Sequence, residues 1–215
     1  ILMYHAVANG GLSPRTFEAQ LVFLRAHFDL VSLGELASRR SRGELRGREV
    51  ALTFDDGVRN HGTVVYPILR RHAVPATYFV CPGLIDARQW IWNMEMRARL
   101  QSLDSPVRQA LAKDLGVPGS EVERIVDWAK RQKSRIFQPT TEQFDSCEPL
   151  TWHELRSIDK GLVTVGSHTM THPILPTLTR QQAEQEIIES KKLLESRLDR
   201  EIDLFCYPNG VNEPD

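Results

Sequence analysis

Cysteine is scarce in this 215-residue chain: Cys81, Cys147 and Cys206 are widely spaced, odd in number and form no CxxC pair. That excludes a disulfide framework and a thiolate zinc knuckle, so any metal site has to draw on histidine and carboxylate. Net charge is nearly absent as well. Lysine plus arginine number 27 against 28 aspartates and glutamates, leaving -1, and no protein-wide basic field exists to hold nucleic acid or an anionic membrane. No apolar run approaches the roughly 20 residues that a transmembrane span requires. The run at 1–4 is too short for the apolar region of a signal peptide. Internal repeats and low-complexity tracts are missing. The chain opens with Ile1 and stops at Pro214-Asp215 straight after a strand-like segment, which reads as a part trimmed from a longer protein, with room for an upstream signal or anchor.

What is present is a chain 41% hydrophobic and 26% charged, enough for one core and hence one domain with an elaboration. Short apolar runs alternate with amphipathic stretches, the pattern of parallel strands joined by helices, so the fold class is α/β. Residues 1–4 read as a strand and 14–27 as a helix with Phe17, Leu21 and Leu24 on one face. A shorter helix follows over 32–40, capped by Ser32. Residues 50–54 read as the next strand, 60–72 as a helix with Val64, Ile68 and Leu69 inward, and 76–80 as a strand after Pro75. From about 84 to 149 the strand rhythm stops, and charged helical stretches at 94–115 and 120–137 mark a helical insertion. The rhythm resumes with a helix at 151–159, a strand at 162–166, a long helix at 179–198 and a strand at 203–207.

Four polar clusters sit straight after apolar strands: Tyr4-His5, Asp55-Asp56-Gly57, Ser167 to His172, and Tyr207-Pro208-Asn209-Gly210. In a parallel sheet or barrel these positions share one carboxyl edge, where such folds place active sites. His168 and His172 are four apart, so a helical turn or tight loop brings both imidazoles to one side. Alone, that spacing also suits surface or capping histidines. A carboxylate from Asp56 would complete a set of two histidines and one acid with positions left for water, which is typical of a catalytic metal. Neighbouring carboxylates on an extended segment diverge, so Asp55 and Asp56 should have different tasks, one as ligand and one as proton acceptor. By itself the Asp-Asp-Gly stretch would equally serve as a turn with a helix cap. The arginines at 39, 40, 42, 46 and 48 and the basic run 130–135 are read as solvated faces. Packing of the insertion ranks ahead of sugar stacking for Trp90 and Trp92. His27, His61, His72 and His153 have the context of ordinary helix or surface residues.

Thr53-Phe54-Asp55-Asp56-Gly57, with Gly166-Ser167-His168-Thr169-Met170-Thr171-His172-Pro173, resembles the first two signature motifs of the polysaccharide deacetylases with NodB homology, carbohydrate esterase family four. The resemblance implies a distorted (β/α) barrel, one NodB-type domain over 1–215 with the insertion at about 84–149. It implies removal of acetyl groups from an N-acetylated glycan with a divalent metal, zinc first and cobalt or nickel next. Asp55 would be the general base, and Asp56, His168 and His172 the metal ligands. The third motif resembles Cys206-Tyr207-Pro208-Asn209-Gly210, with Cys206 where the family has an arginine that partners the base. By alignment the Asn209 N–H takes the oxyanion-donor position, since Pro208 has no N–H, and Tyr207 lines the substrate side. As a nucleophile Cys206 is a poor alternative, because a cysteine at a buried strand end is usually a small hydrophobe.

The family's last two motifs do not follow Gly210. The opening Leu2-Met3-Tyr4-His5-Ala6-Val7 resembles the subgroup acting on poly-β-1,6-N-acetylglucosamine and related exopolysaccharides, where the motif order is permuted and an N-terminal histidine supplies the acid. His5 is therefore the candidate acid; the alternative is a histidine satisfied by backbone near a strand end. The implied location is the cell envelope, periplasmic or extracellular. Rival readings are a same-fold hydrolase of another C–N bond or of an O-acetyl ester, and a non-catalytic glycan-binding relative. A metal-free glycosidase ranks lower, because adjacent aspartates cannot flank a bond. Neither the glycan nor an oligomeric state is written in the sequence.

Overall fold

A computed structural model describes residues 1–8, 12–101 and 137–209. In chain order it has β1 (Leu2–Tyr4), α1 (Pro14–His27), β2 (Asp29–Leu30), α2 (Leu33–Ser41), β3 (Glu49–Val50) and β4 (Leu52–Phe54). A π turn (His61–Val65) runs into α3 (Tyr66–His72), followed by β5 (Ala76–Val80), α4 (Pro82–Ala87) and α5 (Trp92–Gln101). Then come α6 (Thr141–Cys147), α7 (Trp152–Ser157), β6 (Val163–Ser167), a 3-10 turn (Leu175–Thr177) and α8 (Arg180–Leu198).

Four strands form one parallel sheet in the order β1-β4-β5-β6. They are joined by helices, as in an arc of a (β/α) barrel. β5 is buried along its whole length, because a parallel strand is covered on both faces. β1 is the outer strand, with Met3 59% exposed. All four strands run the same way, so Tyr4, Phe54, Val80 and Ser167 deliver their following residues to a single edge.

Ser32 caps its helix as expected, and side-chain caps also start α1 and α8. The Ser13 side chain accepts from Thr16 N–H with Pro14 in the first turn, Ser32 accepts from Glu35 N–H, and Thr179 and Gln182 form a capping box. Phe17, Leu21 and Leu24 are buried as the α1 period requires. Residues 50–54 do not form one strand. Glu49–Val50 pairs with Asp29–Leu30 in a separate two-stranded ladder, and only Leu52–Phe54 joins the main sheet. Residues 203–207 make no full strand but a single parallel bridge, Ser167 to Phe205, with Ser167 N–H donating to Leu204 O and Cys206 N–H to Ser167 O. Much of the insertion, including all but the last residue of the stretch read at 120–137 and the end of that at 94–115, lies outside the described residues. Trp90 donates to the Glu148 carboxylate, which also holds Arg88. Trp90 also meets Phe137 edge-on at 6.0 Å.

The 60–72 stretch departs from its expected phase. Its first turn is π rather than α, with Tyr66 N–H donating to His61 O, and a wider turn shifts every later side chain around the axis. Val65 rather than Val64 takes the fully buried place. His61, read as an ordinary helix or surface residue, is 0% exposed and packs against Phe54 and Tyr78 at centroid distances of 5.6 and 5.1 Å.

Burial drives the His61 pKa down to about 4, so the folded state excludes a proton that the unfolded chain binds below about 6.5. Stability is therefore full above about pH 6.5 and falls by about 1.4 kcal/mol per pH unit per such histidine toward the folded value. We expect His61→Phe to remove one proton from the acid slope, read from urea unfolding of metal-free protein at a series of pH values.

Candidate active site

β4 ends at Phe54, and Asp55 N–H makes the last ladder bond to Tyr4 O at 3.0 Å. The chain then turns sharply: Asp56 has φ 81 and Gly57 φ 64. Any Cβ on Gly57 would lie 2.7 Å from Val80 Cγ1, so this position has room only for glycine. Two successive left-handed residues send the two carboxylates apart. Asp56 faces histidines and Asp55 faces Cys206.

The histidines come from the loop after β6. It is a tight loop, not a helical turn, with Thr169 and His172 left-handed at φ 66 and 59. Thr169 Oγ1 accepts from His172 N–H at 3.1 Å. His168 Nε2 lies 3.7 Å and His172 Nε2 3.2 Å from Asp56 Oδ1. The ring centroids are 5.0 Å apart, one ligand atom from each residue lies within 4.8 Å of the others, and all three residues are buried.

The far sides of both rings and the backbone are also held. His168 Nδ1 is 2.9 Å from Cys206 O and donates there, which leaves Nε2 with its lone pair toward Asp56. Asn209 Nδ2 sits 3.4 Å from His172 Nδ1, and Trp92 Nε1 donates to His172 O at 3.2 Å. Burial lowers the His168 pKa to about 4, keeping the ring neutral as a ligand must be. Burial pushes Asp56 upward, yet the His172 hydrogen bond and the charges of His172, His5 and His168 outweigh it and hold the carboxyl below its ordinary value. A buried ionised carboxylate with the Nε2 atoms of two imidazoles turned toward it fits a divalent cation with open positions.

Sequence reasoning missed Glu186. From α8 its carboxylate accepts from Met170 N–H and Thr171 N–H, each at 2.8 Å, and from Thr171 Oγ1 at 2.7 Å. It clamps the loop between the two histidines, and a contact 15 residues distant leaves no local signal. Glu186→Gln loses the charge and one acceptor and is expected to weaken zinc binding about 10-fold or more, as measured by competition with a chromogenic chelator.

Asp55 is 4% exposed. Cys206 Sγ lies 3.8 Å from its Oδ2, and Oδ1 has no hydrogen-bond partner among the described residues. Burial, opposed by the charge of His5, raises its pKa to about 6. His5 stands across the site, its side chain 55% exposed and its Nε2 3.8 Å from Asp56 Oδ2. Asn209 lies at the His172 side with φ 50. Tyr207 is 69% exposed and meets Phe205 edge-on; among the described residues no hydrogen bond or ring contact joins it to the histidines. His72 ion-pairs with Glu18 and His27 bonds to Phe23 O, both away from this edge.

The sequence pattern of the polysaccharide deacetylase family matches residues 42–215. Over 215 residues the chain is 21% identical to YxkH of Bacillus subtilis, covering 98% of this chain and 56% of that protein. Over 91 residues it is 31% identical to a poly-β-1,6-N-acetyl-D-glucosamine N-deacetylase of Staphylococcus aureus, covering 42% of this chain and 31% of that enzyme. The chain thus spans about half the length of the first relative and a third of the second. Among solved structures, the Streptococcus pyogenes deacetylase PplD superposes with a TM-score of 0.65 at 21% identity, over 99% of this chain and 74% of that one. IcaB from Ammonifex degensii gives 0.64 at 20%, over 99% and 75%. These likenesses establish the (β/α) barrel fold class.

Proposed function

Because the chain belongs to the polysaccharide deacetylase family, we propose that it hydrolyses the acetamide of an N-acetylglucosamine-containing polysaccharide, within one NodB-type domain carrying a helical insertion at about 84–149. The observation that carries this reading is the buried Asp56, His168 and His172 cluster with a second carboxylate, Asp55, turned away from it. Keeping a ligand set and a separate base together on one edge serves catalysis and has no need in a fold. The partial likeness to the staphylococcal enzyme supports an exopolysaccharide as substrate and the cell envelope as the place of action. No helix among the described residues is long and apolar enough to cross a membrane.

When bound by Asp56, His168 and His172, a divalent metal, zinc first with cobalt or nickel also suited, supplies Lewis-acid polarisation and a more acidic water. Asp55, with a pKa of about 6, is mostly ionised at neutral pH yet basic enough to take the proton from the attacking water. The Asn209 N–H donates to the oxyanion of the tetrahedral intermediate. His5 gives a proton to the leaving amine nitrogen as the C–N bond breaks, and acetate departs with the water oxygen. Tyr207, exposed at the same edge, offers a ring face to the sugar.

The test is acetate release from β-1,4 and β-1,6 N-acetylglucosamine oligomers by chelator-stripped protein and by protein reloaded with zinc or cobalt. Release only after reloading is the expected result, with the β-1,6 oligomer preferred. Equal release by stripped protein would overturn the metal role. Retention of oligomers without release would favour a binding protein.

A further inference from the structure

The candidate acid His5 lies beyond the end of β1, on a segment that no sheet ladder holds. Strand pairing stops at Tyr4, and residues 5–8 have no regular secondary structure. Three of the backbone polar groups here are nevertheless captured, and by two consecutive side chains. Asn60 Oδ1 accepts from Val7 N–H at 2.7 Å, and Asn60 Nδ2 donates to Val7 O at 2.9 Å. A single amide thus pairs with both backbone groups of one residue, as a neighbouring strand would. His61 Nε2 donates to His5 O at 3.3 Å, since the neutral ring has only one N–H to give. Asn60 is 3% and His61 0% exposed, so water cannot substitute for either. Both lie at the start of the π turn, a backbone irregularity that recurs at functional sites.

We infer that Asn60 and His61 are positioning residues that dock the 5–8 segment and hold the His5 imidazole over the site. The inference rests on the reading of His5 as the acid. Val7, fully buried, anchors the segment by packing but leaves its angle open; a two-point amide bond sets that angle. Among the described residues no hydrogen bond joins the side chain of Asn60 or His61 to Asp55 or a metal ligand, so their loss should act mainly through the His5 segment.

An acid matters only where the leaving group needs a proton. An amine cannot leave an acetamide without one, whereas 4-nitrophenyl acetate loses a stabilised phenolate unaided. Zinc-loaded wild type, His5→Ala, Asn60→Ala and His61→Phe would be assayed on a β-1,6 N-acetylglucosamine oligomer and on 4-nitrophenyl acetate, with zinc stoichiometry and melting recorded for each. Asn60→Ala should lower kcat on the amide by about 10²-fold, the usual cost of an ångström-scale misplacement, while ester turnover and zinc content stay near wild type. His61→Phe loses one neutral hydrogen bond and should show the same selectivity at about fivefold. It also removes the buried Nδ1, which has no partner among the described residues, so this variant should fold at least as well as wild type and carry the test if Asn60→Ala does not fold. An equal loss on amide and ester, or no loss in either variant, would overturn the inference provided that His5→Ala is itself amide-selective. A His5→Ala variant that lost both activities equally would sink the acid reading, and the positioning role with it.

Discussion

Asp55→Asn should lower acetate release by about 10²- to 10⁴-fold, the range of a general base, while the protein still binds one zinc ion per chain. The two outcomes are separable because the turn at Asp56 and Gly57, with φ 81 and 64, aims the adjacent carboxylates in different directions. An asparagine keeps the shape of Asp55 and its place beneath the site but cannot accept the water's proton. The family's arginine would hold the base ionised at low pH; here a thiol at 3.8 Å takes its place. Burial, with no guanidinium among the described residues to oppose it, leaves Asp55 near 6. The substitution of Cys206 for arginine is thus compatible with catalysis, since it makes the base more basic rather than removing it. Acetate assays beside zinc analysis of the dialysed variant decide the matter. If zinc were lost along with activity, Asp55 would be a ligand instead.

Asp55 and Asp56 were legible as candidates because they follow a short, fully buried strand and precede a glycine, and because the two histidines lie only four positions apart. Helix limits were equally legible where a cap marks them, as at Ser13, Ser32 and Thr179. Three features left no local trace. Two-residue strands such as Asp29–Leu30 and Glu49–Val50 are too short to show alternation, so their ladder was invisible and 50–54 looked continuous. The π turn at His61–Val65 breaks the 3.6-residue period, which is why Val64 and Val65 exchange places. The supports of the site are contacts of one side chain with distant backbone: Asn60 to Val7 across 53 residues and Glu186 to Thr171 across 15. Periodicity and motif spacing carry no information about such bonds. The candidate site residues were therefore easier to find than those that hold them in place.

Asp56→Asn should abolish both turnover and the stabilisation that zinc confers. Asparagine is the informative replacement, because φ 81 suits asparagine as well as aspartate, whereas alanine would add backbone strain unrelated to metal. The loss to be expected follows from charge. In the wild type one ionised carboxylate sits 3.2 and 3.7 Å from two imidazole nitrogens, and a dication entering that cluster gains its only anionic ligand there. At a thousandfold excess over its dissociation constant, a bound ion adds about 4 kcal/mol, which raises the melting temperature of a chain this size by about 10 °C. Apo and zinc-supplemented melting curves of wild type should differ by that amount, and those of Asp56→Asn should coincide. The apo forms should melt close together, since the amide keeps an acceptor for His172 while shedding a buried charge. If zinc still raised the melting point of Asp56→Asn by the full amount, the ion would be held elsewhere. The histidine pair could then not be a metal site built around Asp56, and the separation of ligand from base on which the proposed chemistry depends would fail.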